Sequence, residues 1–248
     1  MKSISKILLT GALLAGVGYS HANTAITTIN RSAGDVQDRH LSGFHAIDLS
    51  GSFDVYIEQG ATESVRVEAP SDVIGHIVTE VEDGVLKIHN KDESGWHWGD
   101  WLGSHHKKIA IYVSITNINE LAVTGSGDAY FKNGLNADKL RIRVSGSGDV
   151  LGRINAKTLD CNISGSGDMK LSGHADSQNV SVSGSGDYEA KGLSTTNTAV
   201  HVSGSGDAGV NVSTNLEASV SGSGDISYTG GAHNVVKSQS GSGDISGS

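Results

Sequence analysis

The sequence predicts an all-β protein, a parallel β-helix in which short strands coil into stacked rungs. Glycine makes up 34 of the 248 residues, and Val, Ile, Thr and Ser dominate the segments between the glycines, a composition that disfavours helices. A motif, Gly-Ser-Gly-Asp, recurs at intervals of 18 to 21 residues. Its seven copies begin at Gly125, Gly146, Gly165, Gly184, Gly204, Gly222 and Gly241. Because a unit of this length cannot bury an apolar side alone, successive units must stack around a shared interior.

The first 22 residues have the pattern of a secretory signal peptide. Lys2 and Lys6 precede an apolar segment, residues 7–17, and small residues lead up to Ala22. The apolar segment is short of the roughly 20 residues that a spanning helix needs, so we expect cleavage after Ala22 and no membrane span in the mature chain. Residues 23–43 are expected to be a flexible leader. The protein is therefore expected in the periplasm or at the cell surface.

The charge of the chain argues against two classes of binding partner. The chain has 27 acidic and 18 basic residues, a net charge of −9, and loss of Lys2 and Lys6 with the signal peptide leaves −11. So acidic a surface disfavours nucleic acid and anionic lipid as partners.

Cys161 is the single cysteine, which excludes a disulfide framework. It shares its repeat position with Ile142 and Val180, so we expect an interior thiol.

The repeat predicts which side chains face inward. Apolar residues stand two and four positions before each of the first six motifs and alternate with polar ones, the period of a half-buried strand. The same alternation places both glycines of the motif inward and its Ser and Asp outward. Glycine inside a strand needs a reason, either a positive φ or a wall too tight for a Cβ atom.

The region before the first copy is interpreted as degenerate rungs of the same β-helix. Residues 49–55 match the repeat, with Phe53 in place of the second glycine. We expect one domain over residues 44–248, with the regular repeats at 121–248. The last copy carries Lys237 and Gln239 where others have apolar residues, and such a polar rung discourages end-to-end pairing.

The motif aspartates are predicted to stack into a structural ladder. Its members are Asp128, Asp149, Asp168, Asp187, Asp207, Asp225 and Asp244. We expect each carboxylate to accept backbone N–H bonds at its own corner, as in Asx-turns. A calcium ion takes six to eight oxygen ligands, for which one Asp a rung is a thin supply. No metal or other cofactor is expected at the ladder.

One segment outside the repeats, residues 92–106, holds all three tryptophans. Trp96, Trp98 and Trp101 either cover exposed core or stack on a sugar, and we take them as candidate ligand-binding residues. Three histidines of this segment are a weaker candidate metal site. They are His97, His105 and His106. By contrast, His174, His201 and His233 stand at different offsets from the motif, so we expect them to be exposed.

Residues 44–49, 54–60 and 80–88, together with the later motif series, resemble the head GIN domain family, described as putative auto-transporter adhesins. The resemblance spans nearly the whole mature chain. It implies an exported β-helical domain, and it supplies no catalytic residues.

The leading functional hypothesis is a non-enzymatic binding or structural module of the bacterial cell envelope that contacts glycan or an envelope protein. Catalysis needs a site where acid, base and substrate-binding groups converge, whereas equivalent stripes of Ser and Asp offer no unique site. A second hypothesis is a metal-sequestering exported protein that uses the histidine segment. A third, a β-helical carbohydrate-active enzyme, rests on fold analogy alone.

Overall fold

The structure is a computed structural model that describes residues 35–91 and 109–248. The strands of the first half are β1 Asp35–Arg39, β2 Ala46–Gly51, β3 Asp54–Gln59, β4 Ser64–Ala69, β5 Ile77–Glu82, β6 Val85–Asn90, β7 Ala110–Ile115, β8 Glu120–Gly125 and β9 Ala129–Phe131. Those of the second half are β10 Leu135–Gly146, β11 Val150–Gly165, β12 Met169–Gly184, β13 Tyr188–Gly204, β14 Ala208–Gly222, β15 Ile226–Thr229, β16 Asn234–Gly241 and β17 Ile245–Gly247. A single 3₁₀ turn lies at Ile74–His76. Over these two ranges, no helix is long and apolar enough to cross a membrane.

The second half confirms the parallel β-helix. Strands β10 to β14 pair parallel in chain order, and the first glycines of their motifs lie opposite one another, as Gly165 does Gly184. The apolar positions stack in the same register, so Cys161 lies between Ile142 and Val180. All three are buried, which confirms the interior position of Cys161.

The first half contains a degenerate rung, as the sequence predicts. Strands β2 and β3 pair parallel with β8 and β9, Gly51 lies opposite Gly125, and Phe53 is fully buried. This rung pairs on its other side with β6 and β7, so the rungs do not follow chain order here.

Three strands of the first half, β1, β4 and β5, pair only antiparallel, so the expectation that this whole region forms parallel rungs is wrong. Strand β4 pairs with β7 and β1, and β5 pairs with β6. Asp83 and Gly84 connect β5 to β6, both with positive φ, and a two-residue turn of this kind requires antiparallel neighbours. Strand β1 also lies within the expected flexible leader, and its pairing with β4 makes Asp35–Arg39 part of the sheet.

The glycines of the motif have two different roles. The first glycine of each copy has φ between +106° and +139° and is partly or fully exposed, so its expected inward position is wrong. The second glycine is buried, as expected. A Cβ atom on Gly186, for example, would overlap the carbonyl oxygen of Gly167 one rung earlier. A Cβ atom on the first glycine would overlap the preceding rung as well, so both reasons anticipated for the glycines apply at the first position and the close contact applies at the second.

The last copy closes the C-terminal end of the described structure with polar side chains. The Lys237 Nζ donates to the Ile245 carbonyl at 2.8 Å and lies 5.0 Å from the centre of the Tyr228 ring. The amide of Gln239 donates to the carbonyl of Gly243. These side chains satisfy backbone groups of the terminal rung.

Candidate functional site

The motif aspartates form a continuous hydrogen-bonded ladder. The backbone N–H of each Asp from Asp149 onward donates to Oδ1 of the Asp one rung before it, at 2.7 to 3.0 Å. The donor therefore comes from the next rung, which corrects the expectation of a bond within each corner. At these corners the N–H groups of Ser and of the second glycine share one acceptor; for Ser166 and Gly167 it is the Gly146 carbonyl. The next N–H along the chain, that of Asp168, donates to the Asp149 carboxylate.

The ladder is thus part of the scaffold. Among the residues that the structure describes, no group of three or more His, Cys, Asp or Glu side chains is placed to hold a metal ion. The outward side chains that could meet a ligand lie two positions after each motif Asp, on the neighbouring stripe of the sheet.

This stripe, which we call the outer row, crosses the sheet without a break in register. Its members, in spatial order, are Asp38, Arg66, Tyr112, Tyr56, Tyr130, Leu151, Lys170, Glu189, Gly209, Ser227 and Ser246. Each is the Cα partner of the next across neighbouring strands. The row therefore runs along the axis of the solenoid, and its members are neighbours in space although far apart in the chain.

Three tyrosines of the outer row stack on one another. The ring of Tyr56 lies 5.3 Å from that of Tyr112 and 5.1 Å from that of Tyr130, with interplanar angles of 20° and 18°. The Lys132 Nζ lies 4.4 Å from the centre of the Tyr56 ring. Tyr112 remains 38% exposed, which makes it one of the exposed large hydrophobic residues of the described structure. The stack therefore offers an aromatic surface to a ligand.

A groove of about 670 Å³ lies on this stack, and we call it the tyrosine groove. Tyr56 and Tyr112 line it together with both acidic and basic side chains. The charged residues are Asp38, Glu58, Arg66, Glu68 and Lys132, and the uncharged polar ones include Ser64, Ser114 and Asn133. Its volume is within the range of small-molecule sites in proteins.

The hydroxyls of Tyr112 and Tyr130 stay protonated over the physiological pH range. Burial, followed by the nearby Glu68 carboxylate, raises the pKa of Tyr112. Burial also raises the pKa of Tyr130, whose hydroxyl donates to Asp128 Oδ2 at 3.0 Å. The Tyr112 hydroxyl is therefore a neutral group that can donate or accept a hydrogen bond at the groove.

A second groove of about 740 Å³ lies further along the outer row, and we call it the glycine groove. Its floor includes Leu151, Lys170, Glu189 and Gly209. Gly209 has no side chain to fill the row. The pairing of β13 with β12 and with β14 shifts register near residues 170–172 and 190–194, and such a bulge displaces backbone from the sheet. Asp187 and Asp207 of the ladder also line the groove.

The sequence did not identify the tyrosines as site residues. Tyr56 and Tyr130 both stand two positions after an Asp, in Asp54-Val55-Tyr56 and Asp128-Ala129-Tyr130, so an alignment on the repeat would have placed them in one column. Tyr112 follows no motif, and only the pairing of β7 with β3 brings it to Tyr56. The predicted residues Trp96, Trp98, Trp101, His97, His105 and His106 lie outside the described residues.

The prediction that three histidines of the repeat region are exposed is confirmed. His174, His201 and His233 are exposed and lie on no common row. His174 lies 3.3 Å from Asp176 on the surface, where such a pair contributes little to stability.

A parallel β-solenoid with aromatic and polar grooves on one outward row has the architecture of a binding domain. The chain belongs to the head GIN domain family, described as "putative auto-transporter adhesin, head GIN domain", whose model matches residues 43–232. This confirms the resemblance seen in the sequence. It also points to a protein of the cell surface or envelope. Comparison with the curated proteins gives no match.

Solved structures share the fold. A "putative adhesin" from Bacteroides fragilis is 26% identical, with a TM-score of 0.80 over 86% of this chain and 96% of that one. A "putative lipid binding protein" from Parabacteroides distasonis is 23% identical, with a TM-score of 0.71 over 88% and 98%. A "putative adhesin" from Parabacteroides merdae is 20% identical, with a TM-score of 0.67 over 88% and 97%. The last two likenesses show the fold alone.

Proposed function

We propose that this chain is an exported, non-catalytic binding module of the bacterial cell envelope that contacts glycan through the tyrosine groove. The observation that carries the proposal is the stack of Tyr56 on Tyr112, both of which line a polar groove. Membership of an adhesin family supports a binding role. An envelope protein is the alternative partner of the same surface.

The chemistry of the tyrosine groove suits a sugar ring. A pyranose has an apolar face, which packs on aromatic rings, and a rim of hydroxyls, which both donate and accept hydrogen bonds. Tyr56 and Tyr112 supply the aromatic surface. The carboxylates of Glu58 and Glu68 accept hydrogen bonds, and the guanidinium of Arg66 donates them. Apolar surface with a few convergent polar groups is the usual composition of a ligand site.

The scaffold holds these groups in place before a ligand arrives. Strand β3, which carries Tyr56, is paired on both sides, by β7 and by β9. Lys132 is positioned over the Tyr56 ring by a cation–π contact. Since little has to be ordered on binding, more of the contact energy appears as affinity.

The tryptophan segment is proposed to add to this site. In the sequence, Trp96, Trp98 and Trp101 precede β7, the strand that carries Tyr112. Binding residues often lie on segments that connect the elements of a rigid scaffold. Export through the signal peptide at residues 1–22 would bring the module to its glycan.

A glycan array tests the proposal directly. The wild type, a Tyr56→Ala/Tyr112→Ala variant and a Tyr130→Phe control would be compared on bacterial and host surface glycans. We expect the wild type to bind, the double variant to lose the signal with its circular dichroism spectrum unchanged, and the control to bind normally, because Tyr130 lines neither groove. Absence of binding by the wild type to every glycan on the array, or equal binding by a folded double variant, would refute the proposed function.

A further inference from the structure

We infer that the glycan is a long, linear, uncharged polysaccharide chain that lies along the solenoid axis and occupies the tyrosine and glycine grooves together. This inference rests on the proposed function and goes beyond it, because a short oligosaccharide would need the tyrosine groove alone. Its basis is the continuity of the outer row, the contents of the two grooves and the balance of their charges.

The two grooves lie end to end on the same row. Tyr56 and Tyr112 line the first, and Leu151, Lys170 and Glu189 line the second. Tyr130 alone separates them on the row, because it pairs with Tyr56 on one side and with Leu151 on the other. A chain that stacks on Tyr56 and continues along the row therefore meets Tyr130 and then the glycine groove.

The length of the row matches an extended polymer. From Tyr112 to Ser227 it crosses β7, β3, β9, β11, β12, β13, β14 and β15. At a strand spacing of about 4.8 Å, these eight strands span roughly 34 Å. That is several sugar rings, more than either groove holds alone.

The glycine groove is open along this line because of its sequence. Gly209 occupies the row position that Glu189 and Ser227 occupy on neighbouring strands. The register of β13 shifts beside Gly192, and Gly192 lines the groove together with Asp187 and Asp207 of the ladder. Five consecutive members of the outer row also line it, so the groove is a channel parallel to the row.

Charge favours an uncharged chain over a polyanion or a polycation. In the glycine groove, Arg153, Lys170 and Lys191 are matched by Asp187, Glu189 and Asp207. The Lys170 Nζ and the Glu189 carboxylate are already paired with each other, 2.7 Å apart. The tyrosine groove likewise holds both signs. The net charge of −9 adds repulsion against polyanions.

Oligosaccharide length is the variable that tests the inference. Beta-linked oligomers of glucose, mannose and N-acetylglucosamine, from disaccharides to long oligomers, would be titrated into the wild type by calorimetry. We expect a short oligomer to bind weakly and a long one at least about tenfold more tightly, because the second groove acts as a linked second site.

A Gly209→Leu variant blocks the channel without backbone strain, because a Cβ atom there would approach only the flexible Lys191 side chain. It should remove the gain for long oligomers and bind short ones as the wild type does. The matched control is Asn179→Leu, at an exposed outward position on another face, which should change neither.

The results that would contradict this inference alone differ from those that would also contradict the proposed function. Wild-type affinity that is the same for short and long oligomers, or a gain with length that survives Gly209→Leu, would overturn the inference and leave the proposed function standing. Absence of binding to every oligomer would overturn both.

Discussion

The backbone N–H of Asp187 donates to Oδ1 of Asp168 at 2.8 Å, and the same bond repeats from rung to rung along the motif series. A carboxylate therefore takes the place of a backbone carbonyl at the corner of each of these rungs. This explains why the motif combines two glycines with an Asp. The glycines bring the corners into close contact, and the Asp provides the acceptor that this packing leaves missing.

The first prediction concerns the acceptor in this ladder. Asp168→Asn keeps a side-chain oxygen and should be nearly neutral, whereas Asp168→Ala leaves the Asp187 N–H without it and should lower the free energy of unfolding by about 1 kcal/mol. Urea denaturation measures both. Asp138→Ala, at an exposed carboxylate outside the ladder, is the control. A melting temperature that rises by many degrees with millimolar calcium would instead show that the ladder binds calcium ions.

The second prediction concerns the buried glycine of the motif. Gly186→Ala places a Cβ atom against the Gly167 carbonyl and should destabilise the protein by about 1–3 kcal/mol or more, the usual cost of overpacking. Gly209→Ala, on the outer row, should be close to neutral. Thermal or urea unfolding compares the two. Equal stabilities would show that the rungs can separate to admit a methyl group.

The third prediction concerns the interior thiol. Burial raises the pKa of Cys161 from 9.0 to about 12, so the native protein should resist thiol reagents until it unfolds. The pKa of the Cys161 thiol is higher in the folded than in the unfolded protein. The contribution of the buried neutral thiol to the free energy of unfolding is therefore complete below pH 9 and is lost as the pH rises from about 9 toward 12. Over that range the loss should be of the order of 1 kcal/mol per pH unit.

Cys161→Val removes this ionisable group and suits the register between Ile142 and Val180. Its unfolding free energy should therefore fall less steeply above pH 9 than that of the wild type. Rapid labelling of the native wild type at neutral pH, or parallel pH profiles of the two proteins, would contradict the assignment.

The fourth prediction concerns the tryptophan segment. Replacing Trp96, Trp98 and Trp101 together by Ala should weaken glycan binding, because these rings are proposed to stack on the same glycan. The β-sheet circular dichroism signal should remain. Loss of that signal would indicate that the rings cover the core instead.

Much of the fold could be predicted from the sequence because each rung repeats the same local chemistry. The spacing of the motifs, and Val182 and Val202 two residues before two of them, predict stacked strands without any knowledge of distant contacts. The position of the β2–β3 rung between two later ones could not be predicted in this way. It depends on which distant strand each edge pairs with, as in the register of Gly51 with Gly125.

The candidate site was harder to predict than the fold. Tyr56 and Tyr112 are far apart in the chain and meet only through the pairing of β3 with β7. The ladder residues were predicted as structural, but the predicted donor was wrong, because the stacking of rungs sets the partner of each Asp. The glycine groove depends on a register shift in β13, which the sequence shows only as a repeat interval of 20 residues.

The most direct test of glycan binding at the tyrosine groove is a calorimetric comparison of Tyr112→Ala with Tyr112→Phe. The ligand would be the glycan that the wild type binds most strongly on the array. Because the aromatic face carries the contact, Tyr112→Phe should keep its affinity within a few-fold, and Tyr112→Ala should bind about tenfold or more weakly. Equal affinities of the wild type and a folded Tyr112→Ala variant would contradict the account.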